Sequence, residues 1–300
     1  MGWSTGKRGR LAGLVALPAI LWSLSVSAAG LPTASYPHDW DLPLPGPNAS
    51  IQAITQYISY DVANHAYDAD GHRVALDAVT RSLALTQRYF RLFQWAALPR
   101  IGFGWQVFLN EARAETTRGS TGDRTVGQGL GDPTLSAGTW IRPTAGSAVA
   151  YVIYLDMPVG AAGLSRDYWR FRQSVGYDLQ LWNLNIDGAA TFVLSSDKKT
   201  ANTSSDVSPG AAFSHAIRIG YRLGNFFEPF VGHDVQVTGA NKLAATGDIV
   251  TGRQYEQALT GGLDVKLGAG HKVSAKYEQG LSGENTSVTQ ALTLRYCYFF

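Results

Sequence analysis

Apolar and polar residues alternate one for one through segment after segment of this chain. In RIGFGWQVFLNEA, Ile101, Phe103, Trp105, Val107 and Leu109 share one face. Gly102, Gly104, Gln106 and Asn110 share the other, with Phe108 as the exception. In QSVGYDLQLW, Val175, Tyr177, Leu179 and Leu181 oppose Ser174, Gly176, Asp178 and Gln180. LNIDGAATFVL, FSHAIRIGYRL, YEQALTGGLDVKL and HKVSAKYEQGL repeat the pattern. Neighbouring side chains on an extended strand point to opposite sides, so a period of two means half-buried β-strands. After the first 30 residues no apolar run approaches the ~20 residues of a spanning helix. The chain is all-β.

The first residues supply a compartment. Lys7, Arg8 and Arg10 precede the apolar run LAGLVALPAILWSLSVS and the small residues AAG. A basic region, an apolar region and an A-x-A-like site make a secretory signal peptide, read here as residues 1–28. The single cysteine, Cys297, excludes an internal disulfide. Charged residues are only 16%, against roughly 25% in ordinary globular chains. The net charge of +2 gives no reason to expect a nucleic-acid partner. An exported chain of alternating strands is either a secreted sandwich or an outer-membrane barrel.

Loop lengths separate the two. About twelve strands are expected, near 50–61, 79–93, 100–112, 130–142, 147–158, 170–182, 184–196, 208–222, 225–238, 253–267, 270–282 and 287–300. Gaps after odd-numbered strands are long and polar: VANHAYDADGHRVALDA, RAETTRGSTGDRTVGQG, DKKTANTSSDV, ANKLAATGDIVTG. Gaps after even-numbered strands are short: QWAALP, PTAGS, LGN, GAG. Long loops on one side and tight turns on the other belong to a transmembrane antiparallel up-and-down β-barrel. An even count puts both ends on the short-turn side, in the periplasm.

The chain's last residues fit the same solvent. In ALTLRYCYFF, Leu292, Leu294, Tyr296, Tyr298 and Phe300 point one way. Closing a barrel requires the last strand to pair with the first, its outer face on hydrocarbon and its end in the aromatic girdle. Leu294, Tyr296, Tyr298 and Phe300 resemble the terminal-strand signal that bacterial outer-membrane proteins present to the barrel-assembly machinery.

Four further segments, in order, carry a family resemblance: DADGHRV, GLGDPTLSAGTW, RDYWRFRQSVGYDL and DVSPGAAFSHAIRIGYRLG. From about residue 30 onward the chain resembles the bacterial outer-membrane transporter family named for a meta-pathway of phenol degradation. The resemblance implies an outer-membrane barrel that takes up small hydrophobic or aromatic compounds. It brings no catalytic residues.

The residues themselves hold little catalytic chemistry. There is no G-x-S-x-G, H-E-x-x-H or Walker loop. His65, Asp68, Asp70 and His72 could together hold a cation, and Asp68 with Asp70 resembles part of a calcium loop, but the third ligand and the bidentate glutamate are missing, so an Asp-Gly turn is expected and no metal. His215 and His233 fall on lipid-facing positions, and Ser214 points away from its neighbour His215. No cofactor and no enzyme activity are expected. The inward face collects Asp156, Asp178, Asp187, Arg218, Arg222, Glu228, Asp234, Glu256, Asp264, Lys266, Lys272, Lys276, Glu278 and Arg295. These charges form either an ion-pair network that fills the barrel or a polar path that conducts. Twelve strands lie between the ~8 whose side chains fill the interior and the 16–18 of wide porins, so a narrow conduit is expected.

The segment 29–49, AGLPTASYPHDWDLPLPGPNA, is too rich in proline for a central strand. It is a periplasmic lead-in, or a lumen plug that buries Trp40, Leu42 and Leu44; the barrel proper is 50–300. The functional expectation is a channel in outer-membrane lipid for small hydrophobic or aromatic solutes. The alternatives are a small general or structural barrel and, with no nucleophile in place, a lipid-acting barrel enzyme. The pattern fixes no oligomeric state.

Overall fold

The computed structural model describes residues 48–300 except 163, 199–205 and 269. The signal-peptide expectation, and the plug residues Trp40, Leu42 and Leu44, lie outside the described residues. In chain order the strands are β1 (Ser50–Tyr67), β2 (Arg73–Gln94), β3 (Ile101–Arg118), β4 (Arg124–Leu130), β5 (Thr134–Thr144), β6 (Ser147–Asp156), β7 (Arg170–Leu181) and β8 (Leu184–Ser195). They continue as β9 (Val207–Ser208), β10 (Ala212–Tyr221), β11 (Phe227–Thr238), β12 (Asn241–Leu243), β13 (Ile249–Thr251), β14 (Gln254–Gly268), β15 (His271–Glu284), β16 (Thr286–Ser287) and β17 (Gln290–Phe299).

Twelve of these form the wall: β1, β2, β3, β5, β6, β7, β8, β10, β11, β14, β15 and β17, each antiparallel to the next. The wall closes because β1 pairs with both β2 and β17. Ile54 lies opposite Tyr298 and Ile58 opposite Leu294, and the backbones of Gln52 and Phe300 exchange two hydrogen bonds of 2.9 Å. No edge is left to solvate, which is the condition for β-structure in lipid.

The alternation sorts as the period demands. On β17, Leu292, Leu294 and Tyr296 are exposed outward, as is Phe300 just beyond it, while Ala291, Arg295 and Cys297 are buried. On β6, Val149, Tyr151, Ile153 and Leu155 face out and Ala150, Val152, Tyr154 and Asp156 face in. Such an apolar outer surface would drive aggregation in water and is satisfied by hydrocarbon. At the short-turn end Trp95 stacks near Phe93 and Phe103, and Tyr298 lies between His271 and Phe300 at 4.5 and 5.4 Å. These rings form part of the interfacial girdle.

The long-loop side differs from expectation in one respect. VANHAYDADGHRVALDA is mostly strand: β1 runs to Tyr67, β2 restarts at Arg73, and the turn is only residues 68–72. RAETTRGSTGDRTVGQG likewise continues as β3 and β4, with its turn at 119–123. Beyond the lipid-facing stretch the apolar–polar alternation is lost while the backbone pairing continues, and Ala63, Ala66 and Tyr67 are buried where β1 also meets β16. ANKLAATGDIVTG contains the small hairpin β12–β13, and DKKTANTSSDV meets it through β9.

Candidate functional site: the barrel interior

The interior is divided into two arcs of different chemistry. One arc is apolar. Phe90 and Leu92 of β2, Phe108 of β3, Trp140 of β5 and Val152 and Tyr154 of β6 point inward and pack with Ala53 and Cys297. Phe90 meets Trp140 edge-on at 5.4 Å, and Phe108 meets Tyr154 at 6.2 Å. Glycine makes the space: a Cβ on Gly104 would sit 2.9 Å from the Trp140 ring and 3.3 Å from Phe90. Burying these rings stabilises the wall by roughly 1.5–3 kcal/mol per side chain.

Sequence reasoning missed this arc, because it assigned aromatics to the outer face. The available signal was Phe108, which breaks the alternation of its own strand by pointing inward.

The opposite arc is charged. Arg218 of β10 is its hub. Its guanidinium reaches Asp187 of β8 at 2.6 and 2.8 Å, Asp264 of β14 at 2.7 Å and Glu228 of β11 at 3.2 Å. Arg222 bonds Glu228 at 3.1 Å and Gln180 at 3.2 Å. Lys272 and Arg295 approach Asp264 at 3.1 and 3.5 Å. Phe230 lies beneath Arg218, its ring centroid 4.6 Å from the guanidinium carbon. Seven of the expected inward charges thus meet in one network: Asp187, Arg218, Arg222, Glu228, Asp264, Lys272 and Arg295. Each acid has a cation or amide donor, as burial requires.

The remaining expected residues sit elsewhere. Asp156 accepts from Thr134 at 2.6 Å and Arg172 at 2.7 Å, with Arg170 at 3.8 Å. Asp178 is buried on β7, and Lys266 lies near the short-turn end of β14. Lys276 pairs with Glu278, Asp234 with Thr260 at 2.5 Å, and Glu256 accepts from the backbone and hydroxyl of Thr289 at 2.7 and 2.9 Å. Arg170 and Arg172 were missed, although they extend the Ser174–Gly176–Asp178 face toward the chain's N-terminus. Arg88, also missed, is a buried cation within the apolar arc: it bonds Gln106 at 2.6 Å and lies 5.2 and 5.7 Å from the Phe90 and Phe108 centroids. Arg172 stands over Tyr154 at 4.8 Å. Cations on ring faces let charge border an apolar surface.

The loop from β6 to β7 folds inward over the apolar arc. Leu164 is buried against Ala84 of β2 and Ala112 of β3, with Ala161 beside it. Gly127 and Gly129 of β4 lie beneath, with Cβ positions 3.8 and 3.9 Å from its methyls. Asp132 pins the loop, accepting from the backbone of Gly160 at 3.0 Å and of Arg166 at 2.9 Å. The Ala161 amide donates to the Leu130 carbonyl at 2.7 Å. Small residues on the wall therefore leave the volume that the leucine fills.

The histidines and the outer turn have local explanations. His215 and His233 face outward and contact the Tyr177 hydroxyl and Gln257, each at 3.1 Å. Asp68 caps its turn, accepting from the amides of Asp70 at 3.0 Å and His72 at 2.8 Å, and Gly71 takes φ +80°. The His72 amide hydrogen bond holds the Asp68 carboxyl below its ordinary value.

A family model described as "Putative MetA-pathway of phenol degradation" matches residues 63–296. The chain belongs to this family. Among solved structures, the COG4313 outer membrane channel from Pseudomonas putida F1 is similar, with a TM-score of 0.74 at 20% identity over 86% of this chain and 97% of that one. The beta domain of the Bordetella autotransporter Brka gives 0.52 at 15% identity, covering 84% and 99%. The transport unit of the autotransporter AIDA-I from Escherichia coli gives 0.52 at 10%, covering 94% and 98%. At these identities the likeness is one of fold. No curated protein matches the chain.

Proposed function

We propose that this member of the phenol-degradation family is an outer-membrane channel for small hydrophobic or aromatic compounds, with both ends of its wall in the periplasm. The observation that carries the reading is the apolar arc. Inward rings in a lipid-facing barrel serve nothing on the outside, and a filling network could be entirely polar. An inner wall with Phe90, Phe108, Trp140 and Tyr154 on one side and paired charges on the other favours an apolar ring over a hydrated solute. The family's description and the fold shared with an outer membrane channel support it. The charges of the inner face would then line the path, mostly neutralised by one another, so strong ion selectivity is not expected. The inward loop at Leu164 serves as an outer lid, and residues 29–49 with Trp40, Leu42 and Leu44 as a periplasmic plug.

The test is transport. Cells making the protein should accumulate a labelled monoaromatic faster than cells without it, with no gain for a sugar of similar size. Purified protein should conduct ions poorly in planar bilayers, and deleting residues 30–49 should raise the conductance. Equal gains for sugar and aromatic would replace the proposal with a small general pore. No gain for either would leave a structural barrel.

A further inference from the structure

Two histidines stand on the lipid side of the wall. On β10, His215 lies between the outward Phe213 and Ile217; on β11, His233 lies between the outward Val231 and Val235. Apolar residues thus flank each ring above and below, which places both rings within the apolar band. Polar side chains in that band are costly and need a partner. The chain supplies half of it. His215 Nε2 meets the Tyr177 hydroxyl and His233 Nε2 meets Gln257 Oε1, each at 3.1 Å, and Gln257 in turn bonds the Tyr255 hydroxyl. The Nδ1 atom of each ring has no hydrogen-bond partner among the described residues.

The register gathers these groups into one patch. His215 lies opposite Val235 and His233 opposite Ile217, a diagonal on neighbouring strands, and Val235 lies opposite Gln257. Glycines keep the surrounding surface low. A Cβ on Gly188 of β8 would collide with the Tyr177 hydroxyl and lie 2.6 Å from the Ala216 carbonyl, so glycine lets the phenol reach across β8 to His215. Gly261 of β14, opposite the exposed Val231 and Tyr277, has open space where a Cβ would be.

We propose that this patch, on β8, β10, β11 and β14, is where two copies of the chain meet in the membrane. Hydrocarbon cannot satisfy the two ring nitrogens. A carbonyl oxygen only accepts, so His233 donates from Nε2 to Gln257 and, as a neutral ring, keeps Nδ1 as an acceptor. With Tyr177 donating to His215, that ring presents Nδ1–H. Donor and acceptor on one patch make it complementary to itself. About a two-fold axis along the membrane normal, His215 of each copy reaches His233 of the other. Among the described residues, the outward positions of these four strands carry no Asp, Glu, Lys or Arg, so nothing selects a partner of opposite charge. Four strands about 4.8 Å apart across a band about 25 Å tall offer about 500 Å² per copy, the lower end of specific interfaces.

Energy transfer between amine-labelled copies of the full-length protein in phospholipid vesicles tests this, read as lipid is added. Transfer that persists on dilution is expected. Val231→Cys, on the patch, should form a disulfide-linked dimer, and Leu109→Cys, outward on β3 across the barrel, should not. His215→Leu combined with His233→Leu suits lipid better than the wild type, so the barrel keeps its fold, checked by heat-modifiable gel mobility. This double variant should dissociate at a concentration about tenfold higher. A wild type that stays monomeric in vesicles overturns the proposal. So does a dimer that cross-links equally through Leu109→Cys, or one that the double leucine variant leaves unchanged.

Discussion

Replacing Arg218 with methionine removes the hub of the charged arc while keeping an unbranched side chain over Phe230. Four short contacts disappear, at 2.6 and 2.8 Å to Asp187, 2.7 Å to Asp264 and 3.2 Å to Glu228. The three acids are not equally harmed. Asp264 keeps Lys272 at 3.1 Å and Arg295 at 3.5 Å, and Glu228 keeps Arg222 at 3.1 Å. Asp187 retains the Asn185 amide at 3.2 Å, a neutral donor in place of a cation. Removing one partner of a buried pair costs about 3–5 kcal/mol, and most of that cost falls on Asp187. Adding Asp187→Asn to the methionine variant should therefore recover about 1–3 kcal/mol by removing the least compensated charge. The assay is urea unfolding in phospholipid vesicles, followed by tryptophan fluorescence, with folded fraction read by gel mobility. A methionine variant within about 1 kcal/mol of wild type would mean that water screens the network. A double variant less stable than the single one would refute the assignment of the cost to Asp187.

Two further outcomes follow from the wall and the outer turn. Leu294→Arg, mid-strand on the lipid face, should cost about 2–4 kcal/mol in the same titration, whereas Phe300→Arg at the strand end should cost about 0–1 kcal/mol; equal costs would contradict the depth assigned to β17. Asp68 has a folded-state pKa below its unfolded value, so its contribution to the turn is fully present above about pH 4 and is lost as pH falls through the lowered value. Amide exchange at His72 should accordingly show constant protection, after correction for intrinsic rates, from neutral pH to about pH 4 and loss below it.

The period-two alternation, read together with the export signal, the sorting of loop lengths and the terminal aromatics, was enough to determine the twelve-stranded wall, its closure and which faces meet lipid. Those properties depend on local geometry: side chains alternate, strands of one length span one thickness, and lipid tolerates no open edge. The inward side of Arg218, Asp264 or Glu278 could be read for the same reason. Their partners could not. Asp187, Asp264 and Glu228 come to Arg218 from β8, β14 and β11, and pairing across a closed interior depends on register and shear, which no single strand encodes. The apolar arc was hidden because Phe90, Phe108, Trp140 and Tyr154 are scattered over four strands and become one surface only when β2, β3, β5 and β6 lie side by side. The inward fold of Leu164 was hidden too, since the cavity that receives it is made of absences: Ala84, Ala112, Gly127 and Gly129 on three different strands. The sequence decides what each side of a strand can tolerate, and only the closed barrel decides what meets what within it.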